Sequence, residues 1–204
     1  MNSQLCNTIF DRTIDDYHKY DSVDHPLSNP HPAESIEAML YHKNWIDTVQ
    51  WHLEDLIRSP ELTGPEVIAY KRRIDKSNQD RTDMVERIDD WFLEFFRDAR
   101  PGKDARINSE TPAWLVDRMS ILALKIYHMR EQTLRKDVDA AHLETCQRKL
   151  DVLLIQRADL ARALDELIQD IQSGIRFMKV YRQMKMYNDE KLNPVLYAKK
   201  AGMK

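Results

Sequence analysis

The stretch Thr111-Pro-Ala-Trp-Leu-Val-Asp-Arg-Met-Ser-Ile-Leu-Ala-Leu-Lys-Ile-Tyr-His-Met-Arg-Glu-Gln-Thr133 decides the fold. It begins with a capping threonine and a proline at the first helical position. From Ala113 to Ser173 the chain holds neither glycine nor proline, 61 residues in all, against about 3–10 residues for a strand. One helix of that length would stretch ~90 Å at 1.5 Å per residue. The spacing therefore predicts a turn near Lys136–Asp139, with Asp137 or Asp139 capping a second helix. Ahead of the turn, Leu115, Met119, Leu122, Ile126 and Met129 line one face, while Ile121 and Leu124 form a second apolar line. A helix apolar on two faces belongs in the centre of a bundle. Beyond the turn, Leu153, Leu160, Leu164, Leu167 and Ile171 recur at steps near those of a bundle seam.

Working outward, every proline and glycine falls between periodic stretches. Pro26, Pro30 and Pro32 define a proline-rich loop over 24–32, Pro60, Gly64 and Pro65 a second break, and Pro101-Gly102 a third. The predicted helices run about 3–20, 33–58 and 66–99, with a short one at 175–187. On the second, Ile46, Val49, Leu53, Leu56 and Ile57 share a face; on the third, Val67, Ile74, Val85, Ile88, Phe92 and Phe95 do. The expected architecture is all-α, a single domain over 1–204 built as a bundle of five to six helices, with a C-terminal tail at 188–204.

Composition agrees with this reading. The chain has 204 residues, 42% hydrophobic and 32% charged, with 4 Gly and 8 Pro, which excludes disorder and a turn-rich β-sandwich. A chain this long can bury a core without a disulfide or metal staple. The longest apolar runs, Ile121–Leu124 and Val152–Ile155, fall far short of the ~18 residues of a membrane span. The N-terminus has neither the basic nor the apolar region of a secretory signal. Cys6 and Cys146 sit in no metal-like spacing, so the expectation is a cytoplasmic protein with reduced thiols.

The net charge of −3 hides a gradient: residues 1–60 balance to −6 and residues 171–204 to +6. Such a head and tail either pair internally or leave the tail for an anionic partner. On the tail, Phe177, Val180, Tyr181 and Met184 share one helical face, while Arg176, Lys179 and Arg182 project from the other. This suits a phosphate-bearing ligand, an RNA or an acidic protein surface, and equally a solvated face over core aromatics. The acidic chain shows no motif for sequence-specific nucleic-acid binding.

Polar residues on apolar stripes are the other signal. His42 falls between Ile46, Val49 and Leu53, so it is expected to point inward. Asn78 and Arg81 occupy stripe positions on the third helix, and Asp117 and His128 extend the second apolar line of the fourth. A buried arginine needs a carboxylate, for which Asp117, Asp75 and Asp47 are candidates. These residues form either a satisfied polar layer that fixes helix register or a pocket for a small anion. His52 and Asp55, three residues apart, can chelate a metal if another helix adds ligands; a hydrogen-bonded His–Asp pair is the simpler reading. Glu54-Asp55 with Glu86-x-x-Asp89 is similar to helical nucleotide pyrophosphohydrolases, which hold magnesium between facing carboxylates. A solvated acidic face explains the same residues.

Four ordered segments carry a broader resemblance. They are Asn44-Trp-Ile-Asp47 through Trp51-His-Leu-Glu-Asp-Leu-Ile-Arg58, Lys71 through Arg81, Ser109-Glu-Thr-Pro112 with Asp117-Arg-Met-Ser-Ile-Leu122, and Phe177 through Asp189. Together they resemble a bacterial domain-of-unknown-function family, from which Ala113 departs where glycine is expected. The resemblance implies a helical fold and an association with lipopolysaccharide or surface-glycan genes, and brings no catalytic residues or cofactor with it. The function expected is an accessory or ligand-binding protein of surface-glycan synthesis that holds either an anionic sugar or nucleotide-sugar derivative or a partner enzyme. His42, Asn78, Arg81, Asp117, His128, Arg176, Lys179 and Arg182 are its candidate contacts. The alternative is a metal-dependent helical phosphohydrolase using His52, Glu54, Asp55 and a carboxylate such as Asp83, Glu86 or Asp89. A homo-oligomer is compatible with either.

Overall fold

A computed structural model describes residues 1–183 and 191–192. Among the described residues, five helices account for nearly all of the regular structure: α1 (Ser3–His18), α2 (Ile36–Leu56), α3 (Gly64–Phe95), α4 (Pro112–Thr133) and α5 (Ala140–Gln172). Their ends follow local chemistry. The Asn2 and Ser35 side chains accept from the backbone N–H groups of Leu5 and Ala38 and so cap α1 and α2. Glu66 reaches back to the N–H and hydroxyl of Thr63 at 2.9 and 2.6 Å, closing the first turn of α3. The turn expected after α4 is present, and Asp139 is the residue that caps α5, accepting from His142 N–H at 2.8 Å.

Helix α4 is the centre of an all-α bundle, packing on α1, α2, α3 and α5. Its Ala113, Val116, Met119, Ala123 and Leu124 join Phe10 and Ile14 of α1, Leu40 and Tyr41 of α2, Val85, Ile88 and Phe92 of α3, and Leu164 of α5 in one core. Ala113 is fully buried beneath the first turn of α4, which begins normally at Pro112. A smaller cluster of Leu122, Ile126 and Leu150 extends the core between the distal halves of α4 and α5. Cys6 and Cys146 are free and buried, and burial pushes the Cys6 thiol up to about 12. Among the described residues, no helix is long and apolar enough to cross a membrane.

Three expectations need correction. The tail is not helical over 175–183: Arg176–Phe177 form a strand (β2) pairing in parallel with Arg106–Ile107 (β1), and an irregular segment follows. The remainder of the expected tail helix, 184–187, lies outside the described residues. The inner face of α2 is not the Ile46–Val49 line: Leu53 is buried as expected, but Ile46 and Val49 are only half-buried and Leu56 is exposed. Leu40, Tyr41, Lys43, Asn44, Asp47 and Thr48 face the core instead. On α3, Val67 and Phe95 lie at the surface, and Phe96 takes the buried place at the C-terminal end.

The route into β2 is fixed at Gly174. Its φ of 74° is left-handed. The Gly174 and Ile175 N–H groups return to Ile171 O and Asp170 O at 3.2 and 2.9 Å, a Schellman ending for α5. A Cβ at Gly174 would lie 2.5 Å from the Arg100 carbonyl oxygen, whereas one at Gly64 meets nothing within 4 Å. Gly174→Ala is expected to destabilise the fold by at least about 1–2 kcal/mol, the cost of a left-handed non-glycine residue. Gly64→Ala is expected to be neutral or stabilising by up to ~1 kcal/mol. Urea unfolding of the two variants checks the contrast.

Candidate functional site

The interior polar layer is an ion network centred on a lysine. Lys43 of α2 is completely enclosed, and its ammonium contacts Asp47 one turn along and Asp117 of α4, the latter at 2.9 Å. Arg81 of α3 grips Asp117 with two hydrogen bonds, Nε to Oδ1 at 2.8 Å and Nη2 to Oδ2 at 2.6 Å, and approaches Asp47 at 3.6 Å. Ser120 donates to Asp47 at 2.5 Å, and Asn44 donates to Ser120 Oγ at 2.9 Å. Two cations and two carboxylates therefore neutralise one another in the core. Burial opposes the charge on Asp117, but Lys43 and Arg81 together hold its carboxyl below the ordinary range. Asp47 is pushed up by desolvation, against the pull of Lys43. Arg81 is held above its usual value by Asp117 and Asp47, although burial works against it.

The partner of Arg81 is thus Asp117, with Asp47 behind it, while Asp75 pairs on the surface with Lys71. Asn78 accepts from Gln50 Nε2 at 2.8 Å. His42 does not enter the layer. It is half-buried on the flank of α2, where burial and the charge of Arg87 lower its pKa. The interior cation missed from the sequence is its neighbour Lys43. The signal for it was present as Lys43-x-x-x-Asp47 and Asp117-x-x-Ser120, helical spacings that align polar groups on facing helices.

Two cavities open beside this layer. One, of about 310 Å³, is lined by Arg81, Asp47, Gln50, Glu54 and Arg58. The larger, about 760 Å³, lies between the C-terminal halves of α2 and α4 and the N-terminal half of α5. Trp51 and Asp55 line both. In the larger cleft, Met129, Val152 and Leu153 give apolar walls, and Lys125, Arg148 and Lys149 give positive charge. Among the described residues, neither Lys125 nor Lys149 has a carboxylate partner, and Arg148 is 3.7 Å from Glu144 at an exposed position.

His128 forms part of the cleft wall, stacked on Trp51 with ring centroids 4.9 Å apart. On its other side stand His52 of α2 and His18, the last residue of α1, a position that sequence reading did not single out. His52 Nε2 and His18 Nε2 are 3.2 Å apart. One ligand-type atom from each of the three rings lies within 4.8 Å of the others, the one such group among the described residues. Burial first, then the charges of His18 and His128, hold His52 below the usual histidine range.

The carboxylates expected to share a metal are not drawn together. Glu54 is half-buried and Asp55 exposed, and both pair with Arg58, while Asp83 accepts from Gln79 at 2.6 Å. Glu86 accepts from the Gln183 N–H at 2.9 Å. Asp89 is buried on α3, and burial raises its carboxyl pKa. Arg176 bonds Asp170 and Asn108 at 3.1 and 2.8 Å. Arg182 pairs with Asp90 and lies 3.5 Å from Glu86, while Lys179 is exposed. The tail arginines therefore pair with the bundle, at α3 and α5, and not with the acidic N-terminal segment.

Removing one carboxylate from the network leaves Lys43 and Arg81 with a single shared anion. Asp117→Ala is expected to cost about 3–5 kcal/mol, the usual penalty for breaking a buried pair. Asp75→Ala, on the surface of α3, should change stability by no more than ~0.5 kcal/mol. Chemical denaturation of both variants distinguishes the interior role from the surface one.

No curated protein and no solved structure matches the chain. Residues 37–180 match the family described as "protein of unknown function (DUF4254)". That span takes in the ion network, both cavities and two of the three clustered histidines, as well as β1, β2 and the turn at Gly174. The chain belongs to this family.

Proposed function

We propose that the cleft between α2, α4 and α5 binds a small anionic molecule that also presents a flat or apolar face. The observation that carries this reading is the pairing of chemistries in one cavity. Lys125, Arg148 and Lys149 supply positive charge, and Trp51 supplies a ring beside the walls of Met129, Val152 and Leu153. The volume of about 760 Å³ falls within the ~300–1,000 Å³ of small-molecule sites, which combine apolar walls with a few placed polar groups. Lysine and arginine recognise phosphate or carboxylate by charge-assisted hydrogen bonds, and an aromatic ring accepts the face of a sugar or a base.

Within that class, a sugar phosphate or nucleotide sugar is the ligand we favour. It satisfies both halves of the cleft, and it agrees with the surface-glycan association implied by the family resemblance. In this reading the protein is a ligand-binding or accessory factor, and α5 contributes the phosphate contacts expected of the tail.

A thermal-shift panel of sugar phosphates and nucleotide sugars, with inorganic phosphate as reference, tests the reading. A ligand at ~100 times its Kd stabilises by about 2.7 kcal/mol, a readily measured shift in Tm. Lys125→Ala with Lys149→Ala is expected to leave the Tm of the free protein nearly unchanged, because both residues are exposed, and to abolish the ligand-induced shift. An undiminished shift in the double variant would place the ligand elsewhere.

A further inference from the structure

We infer that His18, His52 and His128 form a binding site for a divalent transition-metal ion, zinc(II) being the ion the ligand set suits best. The inference concerns a different site from the cleft and stands whether or not the cleft holds an anion.

The hydrogen bonds around the rings set their tautomers. His18 Nδ1 lies 2.7 Å from the Ile14 carbonyl oxygen, which can only accept, so Nδ1 carries the proton. In the neutral ring the Nε2 lone pair is then free and faces His52. His128 Nδ1 lies 2.8 Å from the Glu131 carboxylate, which places its proton on Nδ1 as well. His128 Nε2 is buried and has no hydrogen-bond partner among the described residues. Two imidazole lone pairs thus stand in one histidine cluster, and one of them belongs to a buried nitrogen that no described residue satisfies. Without an ion, His52 Nε2–H donates to His18 Nε2 at 3.2 Å. With an ion bound, His52 moves this proton to Nδ1 and offers Nε2 as the third donor.

The distances suit one small ion. Zinc–nitrogen bonds of about 2.0–2.1 Å in a tetrahedron place ligand nitrogens ~3.4 Å apart. The His18–His52 separation is already close to that, and one ring nitrogen of each histidine lies within 4.8 Å of the others, so closure asks for modest ring movements. For two of the three rings the second contacts are those of a metal site, in which a ligating imidazole donates its other N–H to a carbonyl or a carboxylate. Ile14 O serves His18 and Glu131 serves His128. Packing fixes the ring planes: Tyr17 stacks on His52 at 5.0 Å, Tyr127 on His18 at 4.3 Å and Trp51 on His128 at 4.9 Å. The donors come from three different helices, so the folded bundle creates the site. Three neutral imidazoles favour borderline ions such as zinc over magnesium or calcium, and they leave one tetrahedral position for water or an exogenous ligand. His128 also lines the cleft, so the site shares a wall with it.

The test uses the full chain, without a histidine tag, stripped with a chelator. Zinc(II) is titrated by calorimetry and cobalt(II) by visible absorption. One ion per chain and the intense visible bands of four-coordinate cobalt are expected. His18→Gln, His52→Gln and His128→Gln should each abolish saturable binding, and Glu131→Gln should weaken it by about 10- to 100-fold. His42→Gln, outside the cluster, should leave it unchanged. Because a variant can fail to fold, histidine ring ¹⁵N resonances of the unmodified chain supply a second readout, with three rings expected to shift together on zinc addition. The inference is overturned by absence of saturable binding, by affinity unchanged in the His52 and His128 variants, or by zinc shifting other histidines.

Discussion

An ammonium group with no access to water is the constraint on which the bundle depends. Lys43 is buried among α2, α3 and α4, and an unpaired charge there would cost several kcal/mol. Its carboxylates come from two helices, and Arg81 closes the arrangement from a third. Sliding α4 by one turn, ~5.4 Å, would remove Asp117 from both cations and Ser120 from Asp47. An apolar seam tolerates such a shift because one methyl group replaces another, whereas hydrogen-bonded charges do not. The network thereby sets the register of α2 against α4.

That register decides what lies further along the same two helices. One to two turns beyond Asp47, α2 presents Trp51, His52 and Asp55. One to two turns beyond Ser120, α4 presents Lys125 and His128. Because the network holds the helices in phase, Trp51 stacks on His128 and His52 comes to lie beside His18. Both the cleft and the histidine cluster are built on helices anchored by packed side chains, which gives more precise placement than a loop does. The smaller cavity beside Arg81 shares Trp51 and Asp55 with the cleft.

The segment after α5 uses its charge differently from what a helix wheel suggests. Gly174 ends α5 with a left-handed turn and sends the chain against residues 106–107. β2 then places Arg176 beside Asp170 and Asn108, and the irregular segment after it places Arg182 beside Asp90 and Glu86. The positive tail is attached to negative positions on α5 and α3. The acidic first helix has its own partners: Asp11 binds Arg157, with its shorter contact at 2.6 Å. Among the described residues, Arg176 and Arg182 of the tail and Asp11 of the first helix are thus paired within the bundle, by different helices.

The helices themselves were legible in the sequence. Proline, glycine and capping residues act within a few positions of themselves, so Thr111-Pro112, Asp139 and Gly174 mark real ends, and the two-sided apolar pattern of 113–129 identifies the central helix. The inner face of α2 was not legible, because periodicity ranks Ile46 and Val49 above Lys43, Asn44 and Asp47. Only tertiary structure supplies the Asp117 and Ser120 that pair those polar groups once they are buried. Arg81 could be given three carboxylate partners from sequence, and packing selected Asp117. His52 and His128 could be noted singly, but their meeting with His18 joins positions 34 and 76 residues apart in the chain. Sequence spacing reports neighbours along one helix. Which helices face one another, and at what height, is settled by the joint burial of all five.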